Sequence, residues 1–127
     1  MLLKDCIDVY RAFSKLSNLS LPLKSSWMIA QNLSKLQPIV ESFDSTRETY
    51  AKKLREEAPK DENGEVQINE DMVVAFQESV TELLAEDQKI RLKKVTLFDA
   101  DNLAIEPAVL VAAMDYLILD DNANSGS

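Results

Sequence analysis

Apolar residues recur along most of the chain at the spacing of an amphipathic helix. Over residues 3–18 they fall every three or four positions with no glycine or proline among them, which predicts a first helix. From about residue 25 to residue 57 the steps alternate between four and three, the heptad pattern of a second helix, which Ser25 or Ser26 could cap. At 1.5 Å per residue this helix would be about 50 Å long, and Pro38 is expected to kink it.

One charged residue interrupts the apolar seam of the long helix. The seam positions from Ile29 to Phe43 are followed by Arg47 and then by Tyr50. A charge at such a position either marks the end of the buried part of the helix or specifies the register of a partner helix. We prefer the first interpretation, and the second leaves open self-association through residues 29–54.

The middle of the chain contains a turn followed by a third helix. The long helix is expected to end before Pro59, and the pair Asn63-Gly64 is a strong turn signal because both residue types tolerate positive φ. Residues 65–68 are predicted to form a short strand. Asn69 is placed to cap the next helix, whose apolar face extends over residues 72–84.

The last third of the chain changes from a strand pattern to a helix pattern. Residues 88–98 alternate between apolar and charged side chains, with a slip at Lys93-Lys94, and predict a strand that pairs antiparallel with residues 65–68. Glu106-Pro107 opens a final helix, since proline suits the first helical turn. Its apolar face is expected to reach Ile118.

Together these elements predict an α+β fold that is predominantly helical. It consists of a helical hairpin with one long, Pro38-containing helix and a small antiparallel β-ribbon. A length of 127 residues suits a single globular domain, which we expect to span residues 1–121. The polar residues 122–127 are expected to form a disordered tail.

The residue composition argues against catalysis. There is no histidine, the commonest general base and metal ligand. The two glycines cannot form a phosphate-binding glycine loop. Cys6 is the single cysteine, so a disulfide within the chain is excluded and a reducing compartment is expected. We therefore predict that the protein is not an enzyme and uses no cofactor.

One short segment resembles a catalytic motif. In V-T-L-F-D-A-D the carboxylates of Asp99 and Asp101 are one residue apart, as in phosphotransferases of the haloacid dehalogenase type. That chemistry also requires a lysine and a further acidic pair on later strands, and no lysine follows Asp101. A Mg²⁺ or Ca²⁺ site that includes Glu106 is another interpretation. We prefer a polar turn between a strand and the last helix, with no metal.

Charge is distributed unevenly along the chain. The net charge is −8, with +2 in residues 1–58 and −10 in residues 59–127. The acidic second half either keeps the protein soluble or binds a protein partner that has a basic surface. An acidic chain is unsuited to nucleic-acid phosphates. We expect no membrane span and no secretion signal, and hence a cytoplasmic protein.

Aromatic residues and clustered carboxylates mark a candidate interaction surface. Trp27 and Met28, at the start of the long helix, either form a docking patch or clamp the first two helices together. The acidic residues are either part of this surface or solvated turns. The candidate residues are Trp27, Met28, Arg47, Tyr50, Asp61, Glu62, Glu65, Asp99 and Asp101.

Several stretches together resemble a family of small, uncharacterised phage proteins, of the kind described as a domain of unknown function. They are L-P-L-K-S-S-W-M-I-A-Q-N-L-S-K-L at residues 21–36, K-D-E-N-G at 60–64, V-T-L-F-D-A-D at 95–101 and I-E-P-A-V-L-V-A-A-M at 105–114. The resemblance implies a phage or prophage origin and a role in the cytoplasm of an infected bacterium. It implies no activity, substrate or site residue.

Three functions remain open. The preferred hypothesis is a non-catalytic phage accessory protein that binds a host protein, such as a defence protein, and inhibits or redirects it. The second is a scaffold-like oligomer in virion assembly, which would self-associate through residues 29–54. The third is a protein that sequesters a small nucleotide signal, for which the clustered cations are Lys89, Arg91, Lys93 and Lys94.

Overall fold

The structure is a computed structural model that describes residues 1–98 and 103–120. Its elements are α1 (Leu3–Leu16), α2 (Leu23–Glu57), α3 (Glu70–Leu84), β1 (Val95–Phe98), α4 (Pro107–Ala113) and β2 (Leu117–Asp120), with a 3₁₀ turn (Met114–Tyr116) between α4 and β2. The predicted class, α+β and predominantly helical, is confirmed. Among the described residues no helix is both long and apolar enough to cross a membrane. The predicted tail, residues 122–127, lies outside the described residues.

The seam of α2 packs against α1 and forms much of the core. Ile29, Leu36 and Phe43 are buried at successive heptad positions. The largest fully buried side chains of α1 are Phe13 and Leu16. Because both helices bury their apolar stripes within the same chain, they pack as a stable pair. The predicted long helix is also confirmed, since α2 has 35 residues and is unbroken at its internal proline.

Ser25 does not cap α2, contrary to the prediction. The helix begins at Leu23, after Pro22, and no side chain caps its first turn. Ser25 lies inside the helix, where its hydroxyl donates a hydrogen bond of 2.7 Å to the carbonyl oxygen of Thr96. This serine therefore joins α2 to β1.

Two further side chains of α2 attach the extended segment that leads into β1. The buried amide of Asn32 donates to the carbonyl oxygen of Lys93 and accepts from the backbone N–H of the same residue, both at 2.8 Å. Lys35 Nζ donates to the carbonyl oxygen of Arg91, also at 2.8 Å. These bonds satisfy backbone groups that a neighbouring strand would otherwise have to pair.

The two strands are parallel, so the predicted antiparallel ribbon is wrong. β1 pairs with β2, with Val95 opposite Leu117 at the start of the register. The predicted strand at residues 65–68 is also wrong, because this segment forms only an isolated bridge between Val66 and Lys60 and does not join the sheet. An alternating pattern indicates that a segment is extended, but it does not identify the strand with which that segment pairs.

The last helix is shorter than the apolar pattern predicts. α4 ends at Ala113, and the chain turns through Met114–Tyr116 into β2. Ile118, predicted to be helical, lies in that strand. The apolar run at residues 117–119 suits a helix or a strand equally well, and its pairing with β1 decides the outcome.

The turn and the third helix agree with the prediction. Gly64 has a φ of 80°, in the region that favours glycine, and so permits the tight turn. The side-chain oxygen of Asn69 accepts a hydrogen bond of 2.9 Å from the backbone N–H of Met72. This contact satisfies a free donor at the start of α3.

Replacing Asn32 should destabilise the whole fold. Asn32→Ala leaves the backbone N–H and C=O of Lys93 without their partners and opens a cavity, so we expect the free energy of unfolding to fall by about 2–4 kcal/mol. Urea denaturation followed by circular dichroism measures it. Gln37→Ala removes an exposed amide from the same helix and should change stability by less than about 0.5 kcal/mol. Equal effects of the two substitutions would contradict the role of Asn32.

Candidate interaction surface

Chemical groups suited to catalysis or metal binding are sparse in the described part of the chain. Within residues 1–98 and 103–120, no group of three or more cysteine, aspartate and glutamate side chains could hold a metal ion. Asp99 and Asp101 lie outside these residues. The free thiol of Cys6 is buried in the core, and burial raises its pKa. A raised pKa lowers the fraction of thiolate, which is the nucleophilic form.

Cys6 should not react with a thiol reagent while the protein is folded. Its side chain is fully buried and must be exposed by unfolding before an aromatic disulfide can reach it. We expect the thiol to react at once in denaturant and at least about a thousandfold more slowly in native buffer, as the rarity of the unfolded state requires. Rapid reaction of the folded protein would contradict the burial of this side chain.

Beyond the core, the second half of α2 forms a two-helix hairpin with α3. We call this hairpin the arm and define it as residues 44–84. Tyr50 of α2 stacks on Phe76 of α3, with ring centroids 5.9 Å apart and planes at 12°. Nearer the core, Leu83 packs against the cluster that contains Phe43. No residue of α3 is buried, because two helices alone cannot cover its apolar face.

An apolar groove lies between the two helices of the arm. Its wall from α3 includes Val73, which is 42% exposed. The lining residues are Ala51, Leu54, Arg55, Ile68, Met72, Val73 and Phe76. The neighbouring Val74 is exposed to a similar extent but does not line this groove. The groove is therefore a defined apolar surface that the chain itself leaves open.

Asp61 shapes the loop at the end of the arm. Its carboxylate accepts hydrogen bonds of 2.9 Å from the backbone N–H groups of Asn63 and Glu65. A further bond of 3.2 Å comes from the side-chain amide of Gln67. This is the Asx-turn arrangement, in which an aspartate takes the place of backbone acceptors. Glu62 and Glu65 are exposed on the loop.

Arg47 lies at the boundary between the core and the arm. The last buried residue of α2 is Phe43. The Arg47 guanidinium lies 5.4 Å from the centroid of the Phe43 ring and 3.6 Å from a carboxylate oxygen of Asp44. These contacts agree with the interpretation that Arg47 marks the end of the buried seam. The exposed ion pair itself adds little stability.

Trp27 and Met28 lie at the other end of α2. Met28 packs against the core, as a clamp between the first two helices would, whereas Trp27 is 52% exposed. Lys93 Nζ lies 4.5 Å from the centroid of the Trp27 ring, a cation–π contact. Tyr50 is about 35 Å from Trp27 along the helix. The candidate residues that the structure describes therefore belong to two surfaces.

The two surfaces have opposite charge. The first half of α2, residues 23–40, lies beside the segment 88–98, to which its side chains are hydrogen-bonded. Together the two stretches contain six exposed cations and no acidic residue. We call this surface the basic face. In the arm, residues 61–84 contain seven acidic residues and no cation. Reasoning from the sequence found the four cations before β1 but missed Lys24 and Lys35. The absence of any acidic residue from 23–40 was the available signal.

No family model matches this chain, and the comparisons with curated proteins and with solved structures found no match. The arm and the basic face are therefore the features from which a function can be inferred.

The arm should exchange its amide hydrogens faster than α1. α3 buries no residue and α1 buries seven, so opening α3 costs less free energy. Native-state exchange followed by NMR should show protection factors in α3 at least about tenfold below those in α1. Phe76→Ala, which removes the stacking partner of Tyr50, should lower protection in α3 and leave α1 unchanged. Equal protection in both helices would contradict the weak attachment of the arm.

Proposed function

We propose that this protein acts by binding a protein partner, without catalysis, and that the arm is its binding surface. The observation that carries the proposal is the open apolar groove between α2 and α3. A groove between two helices accepts a third helix whose apolar side chains recur at i, i+3 or i+4, and i+7. Burying such side chains in the groove would supply the main driving force for binding.

The charge around the groove favours a basic partner. The loop and α3 carry acidic side chains without a cation from residue 61 onward, and Arg55 is the one charged residue among those that line the groove. A partner helix with lysine or arginine beside its apolar stripe would place these cations next to the carboxylates of Glu62, Glu65 and Asp71. Such complementarity speeds association and selects partners, and added salt weakens it.

The resemblance to phage proteins suggests that the protein acts in an infected bacterium. A small acidic protein in an infected bacterium could cover a basic helix of a host protein and so inhibit or redirect that protein. Host defence proteins fall within this class of partner. The proposal assigns no cofactor and no catalytic residue, since binding alone would produce the effect.

A scaffold-like role in virion assembly is the second candidate. Charge segregation supports it, because the basic face and the acidic arm lie at opposite ends of α2. The seam from Ile29 to Phe43 is buried against α1 in the same chain. Self-association would therefore use the two ends of α2 rather than the first half of the seam.

A synthetic peptide tests the proposed surface. The probe is a fluorescent amphipathic helix with a leucine and tryptophan stripe flanked by lysines, and its matched control replaces the lysines with glutamates. We expect the lysine peptide to bind the full chain at low salt and its affinity to fall as salt is added. It should bind at least about tenfold more tightly than the glutamate peptide. Fluorescence anisotropy measures both affinities.

Two adjacent valines give a matched pair of variants for the same assay. Val73→Asp places a charge in the groove and should lower the affinity for the lysine peptide by about tenfold or more. Val74→Asp should leave this affinity within about twofold of that of the unaltered chain. Circular dichroism confirms that both variants fold. If neither peptide binds, or if both variants bind as the unaltered chain does, the arm is not the binding surface.

A further inference from the structure

The basic face presents two apolar side chains that the fold leaves uncovered. Leu23 is 86% exposed and Trp27 is 52% exposed, and the two lie one helical turn apart at i and i+4. Lys24 lies between them in sequence, and Lys93 lies against the Trp27 ring. Within residues 1–98 and 103–120, none of the six cations of this face forms an ion pair.

This end of α2 is itself a basic amphipathic helix. Its exposed apolar pair matches the apolar groove in kind. Its cations match the carboxylates of residues 61–71, which, like those cations, form no ion pair within the described part of the chain. The loop and the start of α3 contribute Asp61, Glu62, Glu65, Glu70 and Asp71 to that acidic stretch. The chain thus contains both the groove that is proposed to bind a basic amphipathic helix and, at the start of α2, a helix of that kind.

The two surfaces cannot meet within one molecule. Trp27 and Leu54 are about 40 Å apart along α2, at 1.5 Å per residue. α2 is a single unbroken helix, so it cannot fold back to bring its ends together. Any contact between the basic face and the groove must therefore join two chains.

We propose that a second copy of this chain occupies the arm, in a head-to-tail arrangement. Leu23 and Trp27 of one copy enter the apolar groove of the next, and Lys24, Lys93 and Lys94 face the acidic loop and the start of α3. The inference rests on the proposed role of the arm as a binding surface. Each added copy leaves one basic face and one arm free, so association continues until it closes into a ring or extends into a filament.

Sedimentation velocity and tryptophan fluorescence test the contact directly. At low salt the average sedimentation coefficient should rise with protein concentration, and it should fall when salt is added. Trp27 is the only tryptophan, and its transfer from water into the groove should shift its emission to shorter wavelength over the same concentration range. A chain that stays monomeric throughout the range, or an emission spectrum that does not change on association, would overturn the inference.

Charge reversal identifies the two surfaces. Lys93→Glu with Lys94→Glu alters the basic face, and Glu62→Lys with Glu65→Lys alters the arm. Each double variant alone should self-associate about tenfold or more weakly, because like charges now face each other. All four positions are exposed, so folding should be unaffected. Lys4→Glu with Arg11→Glu, at exposed positions of α1, makes the same charge change as the first variant and should not weaken association.

Mixing the two charge-reversed variants is the decisive step. The altered basic face of one variant is complementary to the altered arm of the other, and their unaltered surfaces also match. We therefore expect the mixture to associate where each variant alone does not. Failure of the mixture to associate would overturn the head-to-tail contact.

Two outcomes separate this inference from the proposed function. If the chain is monomeric but still binds the lysine peptide through Val73, the second copy is not the partner and the proposed function stands. If the chain self-associates but Val73→Asp changes neither self-association nor peptide binding, both proposals fail. A Trp27 emission that responds to a single-stranded oligonucleotide and not to protein concentration would assign the basic face to nucleic acid and overturn the inference.

Discussion

The paired hydrogen bonds between Asn32 and the backbone of Lys93 are the constraint on which the rest of the structure depends. A buried amide must find partners for its donor and its acceptor, and here one residue of the extended segment satisfies both. This attachment fixes the position of β1 beside α2, so β1 can offer its other edge to β2. It also brings Lys93 against the Trp27 ring and the other cations of the segment beside α2, and so creates the basic face.

The length of α2 has a second consequence, which is the arm. α1 has 14 residues and α2 has 35, so the longer helix extends past the partner that buries its seam. α3 covers part of that extension but buries none of its own residues. The apolar groove is what remains uncovered. A region with so few buried contacts opens at low free-energy cost, which is typical of the parts of a protein that bind other molecules.

The distribution of charge and the geometry of α2 together favour contacts with other molecules. The six cations of the basic face and the five acidic residues of 61–71 would attract each other if they could approach. α2 is one continuous helix that places the two groups near its opposite ends, so this attraction is available to other molecules. A net charge of −8 conceals this arrangement, because the cations and the carboxylates are segregated rather than balanced locally.

The sequence by itself determined the elements whose signals are local. Helical periodicity placed α1, α2 and α3, and the cap at Asn69 and the turn at Gly64 depend on neighbours within a few residues. Only the tertiary structure decided the pairing of β1 with β2, the use of Ser25 as a tertiary donor in place of a cap, and the division of the candidate residues between two surfaces. These features depend on contacts between residues far apart in the chain, and such contacts leave no periodic pattern in either segment.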